Sequence, residues 1–201
     1  RNEESLKTTV AELEKLGVKA AYSVFDVEEM AQVEQGVASI ASQLGSIDIL
    51  INNAGVGDFG SFEEMPVETW EKVMKVNLFG VYYVAKATLP YLKQNKEGDI
   101  VNVASTAGLK GAPNMSAYCA SKAAVISLSQ SLMAELRKFN IRVITLTPST
   151  IATDMSIEGK LTDGNPEKVL QPEDFAEWVR DILKMNRRAM IANASIFSTN
   201  P

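Results

Sequence analysis

The stretch IDILINNAG, residues 47–55, is the strongest indication of the fold. Residues 47–51 are apolar apart from Asp48, which is typical of a strand covered on both faces, as strands of parallel sheets are. A polar segment that ends in Gly55 follows directly. Two further apolar runs have the same form: residues 100–104 lead to Ser105, and residues 141–146 lead to Pro148.

Helical patterns separate these runs, because apolar residues recur every three or four positions between them. The first helix has Asn2 as its cap and stops at Gly17; the others cover about 28–44, 67–95, 116–139 and 173–185. β-rich runs at 20–25 and 189–197 complete the alternation, and 149–171 is predicted to be a long loop. This order predicts one domain over 1–201, of the doubly wound α/β class with a parallel sheet.

Ligands of such sheets bind beyond the carboxyl ends of the strands. Residues that suit a ligand site stand at these ends: Asp26, Asn53 to Gly55, Ser105 and Pro148. We therefore expect the functional site at this edge of the sheet.

The composition excludes several function classes. The chain has 201 residues and a net charge of −5, which argues against a protein that mainly grips nucleic acid. It contains no histidine, so a Ser-His-Asp triad and a histidine-bound metal are excluded. The single cysteine, Cys119, forms no intrachain disulfide and suits a reducing cytoplasm. No uncharged run reaches the ~18 residues that a membrane span needs.

The helices at 67–95 and 116–139 are apolar on nearly all sides, which indicates burial on more than one side. We interpret them as a subunit interface of a homo-oligomer, a dimer or a tetramer. The alternative is a thicker core within one chain.

Tyr118 and Lys122 stand at i and i+4, so a helix places them on one face. A free phenol has a pKa of about 10 and is a poor acid or base near neutrality. A cation nearby stabilises the phenolate and lowers that pKa. The alternative is an ordinary tyrosine and lysine on a helix.

Two other polar residues accompany this pair. Ser105 follows a strand, where its hydroxyl can bind a substrate oxygen or simply cap a turn. Asn77 lies in a helix among apolar residues, and a buried amide without partners costs about 1–3 kcal/mol. A purely structural role for Asn77 is the alternative.

With these residues the chain resembles the short-chain dehydrogenase/reductase family, along nearly its whole length. The resemblance rests on an ordered set: Asp26-Val27, Asn52-Asn53-Ala54-Gly55, Asn77, Ser105, Tyr118 with Lys122, and Pro148 to Thr153. Among subfamilies it is most similar to bacterial reductases of the 3-oxoacyl-[acyl-carrier-protein] type. Its C-terminal residues look closer to broad carbonyl or alcohol reductases than to the enzymes of fatty acid biosynthesis.

The resemblance implies four catalytic residues. Tyr118 would donate the proton to a carbonyl, and Lys122 would lower the pKa of Tyr118 and bind the nicotinamide ribose. Ser105 would orient the carbonyl, and Asn77 would hold a water that connects Lys122 to solvent. No metal is implied.

The resemblance also implies a cofactor site. Arg1 would stand where the family contacts a 2′-phosphate, which an arginine suits, so NADP(H) is favoured over NAD(H). The residues implied to contact the cofactor are Arg1, Asp26, Val27, Asn53, Ala54, Gly55, Tyr118, Lys122, Pro148, Ile151 and Thr153.

The expected function is reduction of a ketone to a secondary alcohol, with a 3-oxoacyl thioester, carried by an acyl carrier or free, as one candidate substrate. The loop 149–171 would bind it. The alternatives are alcohol oxidation by the same site, a non-catalytic dinucleotide-binding protein, and an adenosylmethionine-dependent methyltransferase.

Two departures from the family pattern stand out. Ser149 replaces the usual glycine after Pro148, from which we expect altered loop geometry rather than lost binding. The twelve glycines form no G-x-G-x-x-G turn. We therefore expect the chain to be a fragment without the family's first strand-helix-strand unit, with a gap between the strands that end at Phe25 and Ile51.

Overall fold

Four parallel strands form one sheet, in the order β1-β2-β3-β4, in the computed structural model, which describes residues 2–199. The strands are β1 (Ile49–Asn52), β2 (Gly98–Val103), β3 (Ile141–Pro148) and β4 (Asn193–Ile196). Their register pairs Ile49 with Asp99, Ile100 with Val143, and Leu146 with Ala194. Because all strands run the same way, their carboxyl ends share one edge of the sheet.

The described part of the chain has seven α-helices, of which α1 and α2 precede β1 and the others connect the strands. They are α1 (Glu3–Lys15), α2 (Met30–Leu44), α3 (Val67–Met74), α4 (Gly80–Gln94), α5 (Ser116–Leu136), α6 (Asp154–Glu158) and α7 (Pro172–Lys184). A π-helical turn, Lys75–Phe79, joins α3 to α4, and 3₁₀ turns cover Thr106–Gly108 and Arg137–Phe139. The predicted helix over 67–95 is thus continuous, with a π turn in its middle.

The core lies on both faces of the sheet, because side chains of a strand alternate between them. On one face, Ile100 and Val143 pack with Leu92 of α4 and Leu136 of α5. On the other face, side chains of β2 and β3 pack with α7: Val101, Ile144 and Leu146 against Val179 and Ile182. Burial on both faces explains why most residues of these strands are apolar; the polar side chains among them, such as Asp99, Asn102 and Arg142, are paired with one another or with other polar groups.

The first helix begins as predicted. The Asn2 side chain accepts hydrogen bonds from the backbone N–H groups of Glu4, at 3.1 Å, and Ser5, at 3.3 Å. These bonds satisfy two donors that have no partner within the helix. The predicted loop at 149–171 contains the short helix α6.

The predicted strand at residues 20–25 is wrong. The segment pairs with none of the strands in residues 2–199, and a strand requires a neighbouring backbone for its hydrogen bonds. Phe25 instead packs against Gly36 of α2, where an added β-carbon would clash with the phenyl ring. A cavity of about 170 Å³ lies between Phe25 and Ile51 of β1, and Ile51 is 46% exposed.

A membrane-spanning helix is not found in the described residues: none of their helices combines sufficient length with sufficient apolarity.

An ion cluster ties the amino-terminal ends of β2 and β3 to the end of α7. Arg142 of β3 forms two hydrogen bonds to the carboxylate of Asp99 on β2, and both side chains are buried. The Arg142 guanidinium also donates to the carbonyls of Leu183 and Met185, both at 3.2 Å, where α7 ends. Arg187 completes the cluster with a 3.1 Å contact to Asp99.

We predict that Arg142→Met lowers the free energy of unfolding by about 3–5 kcal/mol, because it removes the main partner of a buried carboxylate. Urea denaturation measures this loss. The control is Arg180→Met, whose ion pairs with Glu177 and Asp181 are exposed, and which should cost less than about 1 kcal/mol. Equal losses in the two variants would contradict the structural role of the cluster.

Candidate active site

Tyr118 and Lys122 lie on one face of α5, as their spacing predicts. The Lys122 Nζ atom stands 5.7 Å from the centre of the Tyr118 ring. Ser105 follows β2 and begins the 3₁₀ turn, where its hydroxyl accepts a hydrogen bond from the backbone N–H of Ala107 at 3.2 Å. The carboxyl end of β2 and the first turns of α5 therefore bring these three residues together.

Lys122 is a buried cation, with 5% of its surface exposed. Its ammonium donates a 2.9 Å hydrogen bond to the backbone carbonyl of Val103, the last residue of β2. Because burial penalises the charged form, the pKa of Lys122 falls from its ordinary 10.5 to about 8. Lys122 thus changes protonation state close to neutral pH.

The Tyr118 phenol is largely buried beside Ser105. Burial raises the pKa of Tyr118 above its ordinary value, and the hydrogen bond with Ser105 offsets part of that rise. The net direction is opposite to the one predicted from the sequence, where Lys122 lowers this pKa. The physical reason is that burial, which penalises the charged phenolate, has the largest effect on this pKa, while the Lys122 ammonium donates to the Val103 carbonyl.

Asn77 stands in the π turn and is fully buried. Its amide nitrogen donates to the Val56 carbonyl at 2.9 Å and to the Ser121 hydroxyl at 3.0 Å, and its amide oxygen accepts from the Val56 N–H at 2.8 Å. The side chain therefore joins the loop after β1 to α5. Its predicted part in holding a water stays a prediction.

A chain of buried polar side chains supports the site from behind. Asn52 of β1 donates to Asn102 of β2 at 2.8 Å, and Asn102 donates to Ser129 of α5 at 2.8 Å. Ser129 in turn donates to the Val125 carbonyl at 2.7 Å. Each member has a partner, so this chain fixes the position of α5 against the sheet without leaving an unpaired polar group.

The segment Asn53 to Gly55 leaves the carboxyl end of β1 and reaches the catalytic residues. A β-carbon added to Gly55 would stand 3.3 Å from the Asn77 amide oxygen and 3.6 Å from the Lys122 Nζ atom. The absence of a side chain at Gly55 thus leaves the groove open toward the ammonium. An ammonium has three donors, which suits ribose hydroxyls, so these residues fit a nicotinamide nucleotide.

The structure brings Val27 next to Asn53 and Ala54. Val27, Asn53 and Ala54 line the cavity of about 170 Å³ beside β1. Asp26 accepts a hydrogen bond from the Glu28 N–H at 3.0 Å. Arg1, predicted to bind a 2′-phosphate, lies outside the described residues.

The residues predicted after β3 are placed in order by local contacts. Pro148 ends β3, and Ser149 extends the pairing through a 2.8 Å bond from its N–H to the Ile196 carbonyl. Ser149 does not have positive φ, so no glycine is required there. Ile151 bridges to Leu170, and Thr153 forms a capping box with Ser156 at the start of α6.

Four residues that shape the site were not predicted from the sequence: Gly108, Ser121, Phe59 and Gly159. A β-carbon on Gly108 would stand 2.7 Å from the Lys122 backbone, so glycine allows the 3₁₀ turn to pack on α5. Ser121 anchors Asn77. Phe59 packs edge-on against Tyr118, with ring centres 5.7 Å apart, and also contacts Gly159. Only Ser121 had a signal in the sequence, since it lies between Tyr118 and Lys122; the contacts of the others join distant parts of the chain.

Comparisons with known proteins agree with this geometry. Residues 1–163 match the family model described as short chain dehydrogenase. An inactive 2-(S)-hydroxypropyl-CoM dehydrogenase 2 of Xanthobacter autotrophicus is 36% identical over 188 residues, which are 87% of this chain and 81% of that protein. A 3-oxoacyl-[acyl-carrier-protein] reductase of Thermotoga maritima is 36% identical over 167 residues. That match covers 83% of this chain and 65% of the reductase.

A solved structure has the same fold along this chain. The alcohol dehydrogenase of the archaeon Thermococcus sibiricus, complexed with 5-hydroxy-NADP, superposes with a TM-score of 0.91 at 27% identity. The match covers 100% of this chain and 84% of that protein.

The lowered pKa of Lys122 makes the stability of the fold depend on pH. Below about pH 8 the lysine is charged in both the folded and the unfolded state. Between about pH 8 and 10.5 the lysine is uncharged in the folded state, whereas the unfolded chain still holds the proton. Stability contributed by Lys122 therefore rises with pH in this window. We predict that from pH 7 to pH 10 the wild-type protein gains about 2 kcal/mol of unfolding free energy relative to Lys122→Met.

Urea denaturation at several pH values measures this difference. The exposed Lys72 provides the control, because Lys72→Met should run parallel to the wild type over the same range. A Lys122→Met curve that also stays parallel would show that the lysine is not destabilised by burial.

Proposed function

The chain belongs to the short-chain dehydrogenase family, and on that premise we propose that it is an NADP(H)-dependent carbonyl reductase in which Tyr118 donates the proton. The observation that carries the proposal is the convergence of Ser105, Tyr118 and Lys122 between the end of β2 and α5. A protein that only binds a dinucleotide has no need of a buried phenol beside a serine hydroxyl and a buried ammonium.

Each side chain has a separate task in the reaction. The nicotinamide, when bound, supplies the hydride to the carbonyl carbon. The Ser105 hydroxyl donates a hydrogen bond to the carbonyl oxygen and holds it beside Tyr118. As negative charge develops on that oxygen, the Tyr118 O–H bond breaks and its proton forms the alcohol. Lys122 binds the ribose and, when charged, stabilises the phenolate left on Tyr118.

The rate of each direction of the reaction depends on the protonation state of Tyr118. Burial keeps the pKa of the phenol high, so the group is protonated at neutral pH and ready to donate. Oxidation of an alcohol requires the phenolate instead. We infer that reduction is favoured near neutrality and that alcohol oxidation by the same site is favoured only at alkaline pH.

The substrate class and the cofactor preference also belong to this proposal. The reductase from Thermotoga maritima supports a 3-oxoacyl thioester as a candidate substrate, and the alcohol dehydrogenase from Thermococcus sibiricus supports an NADP-type cofactor. An assay with NADPH and NADH against a panel of ketones that includes an acetoacetyl thioester distinguishes these possibilities.

The same proposal includes pairing of two copies through α4 and α5. Phe79 and Tyr82 are 46% and 41% exposed, and both contact the Tyr83 ring, so they form an aromatic patch on the surface. The outer side of α5 carries the small exposed residues Ala120, Ala123 and Ser127, which permit close approach of another helix.

We predict that Tyr118→Phe lowers turnover by about 10²–10⁴-fold, because the variant keeps the ring but has no proton to donate. Oxidation of the reduced cofactor with a ketone substrate measures the rate. Tyr91→Phe, a partly buried tyrosine of α4, is the matched control and should retain wild-type turnover. Near-normal activity of Tyr118→Phe would overturn the catalytic assignment.

We also predict that Tyr82→Glu shifts the protein to a smaller species in sedimentation experiments, because it places a charge within the aromatic patch. Leu16→Glu, at a 77% exposed residue after α1, should leave the sedimentation unchanged. A Tyr82→Glu variant that sediments like the wild type would exclude this patch as the interface.

A further inference from the structure

A cavity of about 570 Å³ lies between the loop after β1 and the end of α6. Gly55 and Phe59, which line it, contact the catalytic residues: the Gly55 position faces Lys122, and Phe59 packs on Tyr118. The cavity therefore adjoins the place where a carbonyl is reduced. Its lining residues are Gly55, Val56, Gly57, Asp58, Phe59, Met155, Glu158, Gly159 and Lys160.

Phe59 is clamped between both sides of this cavity. A β-carbon on Gly57 of the same loop, or on Gly159 after α6, would stand 2.7 Å from its ring. The Tyr118 ring meets the Phe59 ring at 76°, in an edge-to-face arrangement. The ring is thus fixed by three neighbours and forms a rigid apolar wall next to the reacting phenol.

Met155 extends that wall on the side of α6. Its Sδ atom lies 3.1 Å from the β-carbon position of Gly57, which also faces Phe59. A thioether and a phenyl ring side by side in one wall suit an apolar arm of a substrate, since both surfaces gain from being removed from water.

The charged side chains that line the cavity are exposed to solvent and do not belong to its apolar wall. Asp58, Glu158 and Lys160 are exposed, and together they carry a net charge of −1. Lys160 is the single cation among the described lining residues. A carboxylate or phosphate on the substrate would lose its water next to Phe59 and Met155, where none of the described lining residues is a buried cation. The buried Lys122 lies beyond Gly55 and already donates to the Val103 carbonyl.

We propose that this cavity selects uncharged carbonyl compounds with an apolar arm, and that Phe59 is its specificity-determining residue. The proposal rests on the function proposed above and narrows its substrate class. Anionic sugar acids and keto acids are poor substrates, because the cavity offers their charge two carboxylates and one exposed lysine.

The first test compares methyl levulinate with levulinate, which share one ketone and one acyl chain; the methyl ester is neutral and the acid carries one negative charge. The protein with NADPH should reduce the ester with a kcat/KM at least about tenfold higher than the acid at pH 7. Glu158→Gln should raise the ratio of kcat/KM for levulinate to kcat/KM for the ester about two- to fivefold, because it removes one repelling charge at the exposed rim.

The second test replaces the aromatic wall. Phe59→Ala should raise KM for methyl levulinate about tenfold, because an apolar contact is lost. It should also raise the turnover of benzyl levulinate relative to that of methyl levulinate, because removal of the ring makes room for the bulkier arm. A loosened fold would lower turnover of both esters and could not produce this gain. Phe62→Ala, at a phenylalanine that is 80% exposed, is the matched control and should change neither value.

The outcomes separate the two proposals. Absence of turnover with every ketone overturns the proposed function together with this selectivity. Turnover with equal or higher kcat/KM for levulinate overturns the selectivity alone. Phe59→Ala kinetics that match those of Phe62→Ala overturn the role of Phe59.

Discussion

The buried amide of Asn77 is the contact on which the rest of the site depends. It binds both backbone groups of Val56 and the Ser121 hydroxyl, so the loop after β1, the π turn and α5 meet at one side chain. Moving any of these three segments away would leave the buried amide without a partner, at a cost of about 1–3 kcal/mol. This penalty keeps the segments together. Gly55 thereby faces Lys122, and the groove remains open between them.

The site combines groups that burial treats differently. Burial raises the pKa of Tyr118 and lowers that of Lys122, so both groups move toward their uncharged forms. The uncharged phenol can donate a proton. The uncharged amine stabilises a phenolate less than the ammonium does. The Ser105 hydroxyl moderates the shift of Tyr118, and the Val103 carbonyl accepts a hydrogen bond from Lys122. Burial of Lys122 therefore lowers the stability of the fold, but it places a reactive tyrosine and lysine on one helix face.

The sequence was informative where a residue's environment follows from its neighbours along the chain. Continuous apolar runs identified β1, β2 and β3, and the i, i+4 spacing placed Tyr118 and Lys122 on one face. The segment 20–25 has strand-forming composition, but pairing is a property of two backbones and cannot be deduced from one. The π turn at Asn77 and the contacts of Phe59 with Gly159 arise from tertiary packing, which leaves no local pattern.

The order of the strands in the sheet has a consequence for how the chain folds. Because β1, β2, β3 and β4 are neighbours in the same order as in the sequence, each strand can dock on the one made before it during synthesis. Asp99 of β2 is made before both arginines that neutralise it, Arg142 and Arg187. The carboxylate therefore stays hydrated until β3 and the segment after α7 arrive, and closure of that cluster is a late step of assembly.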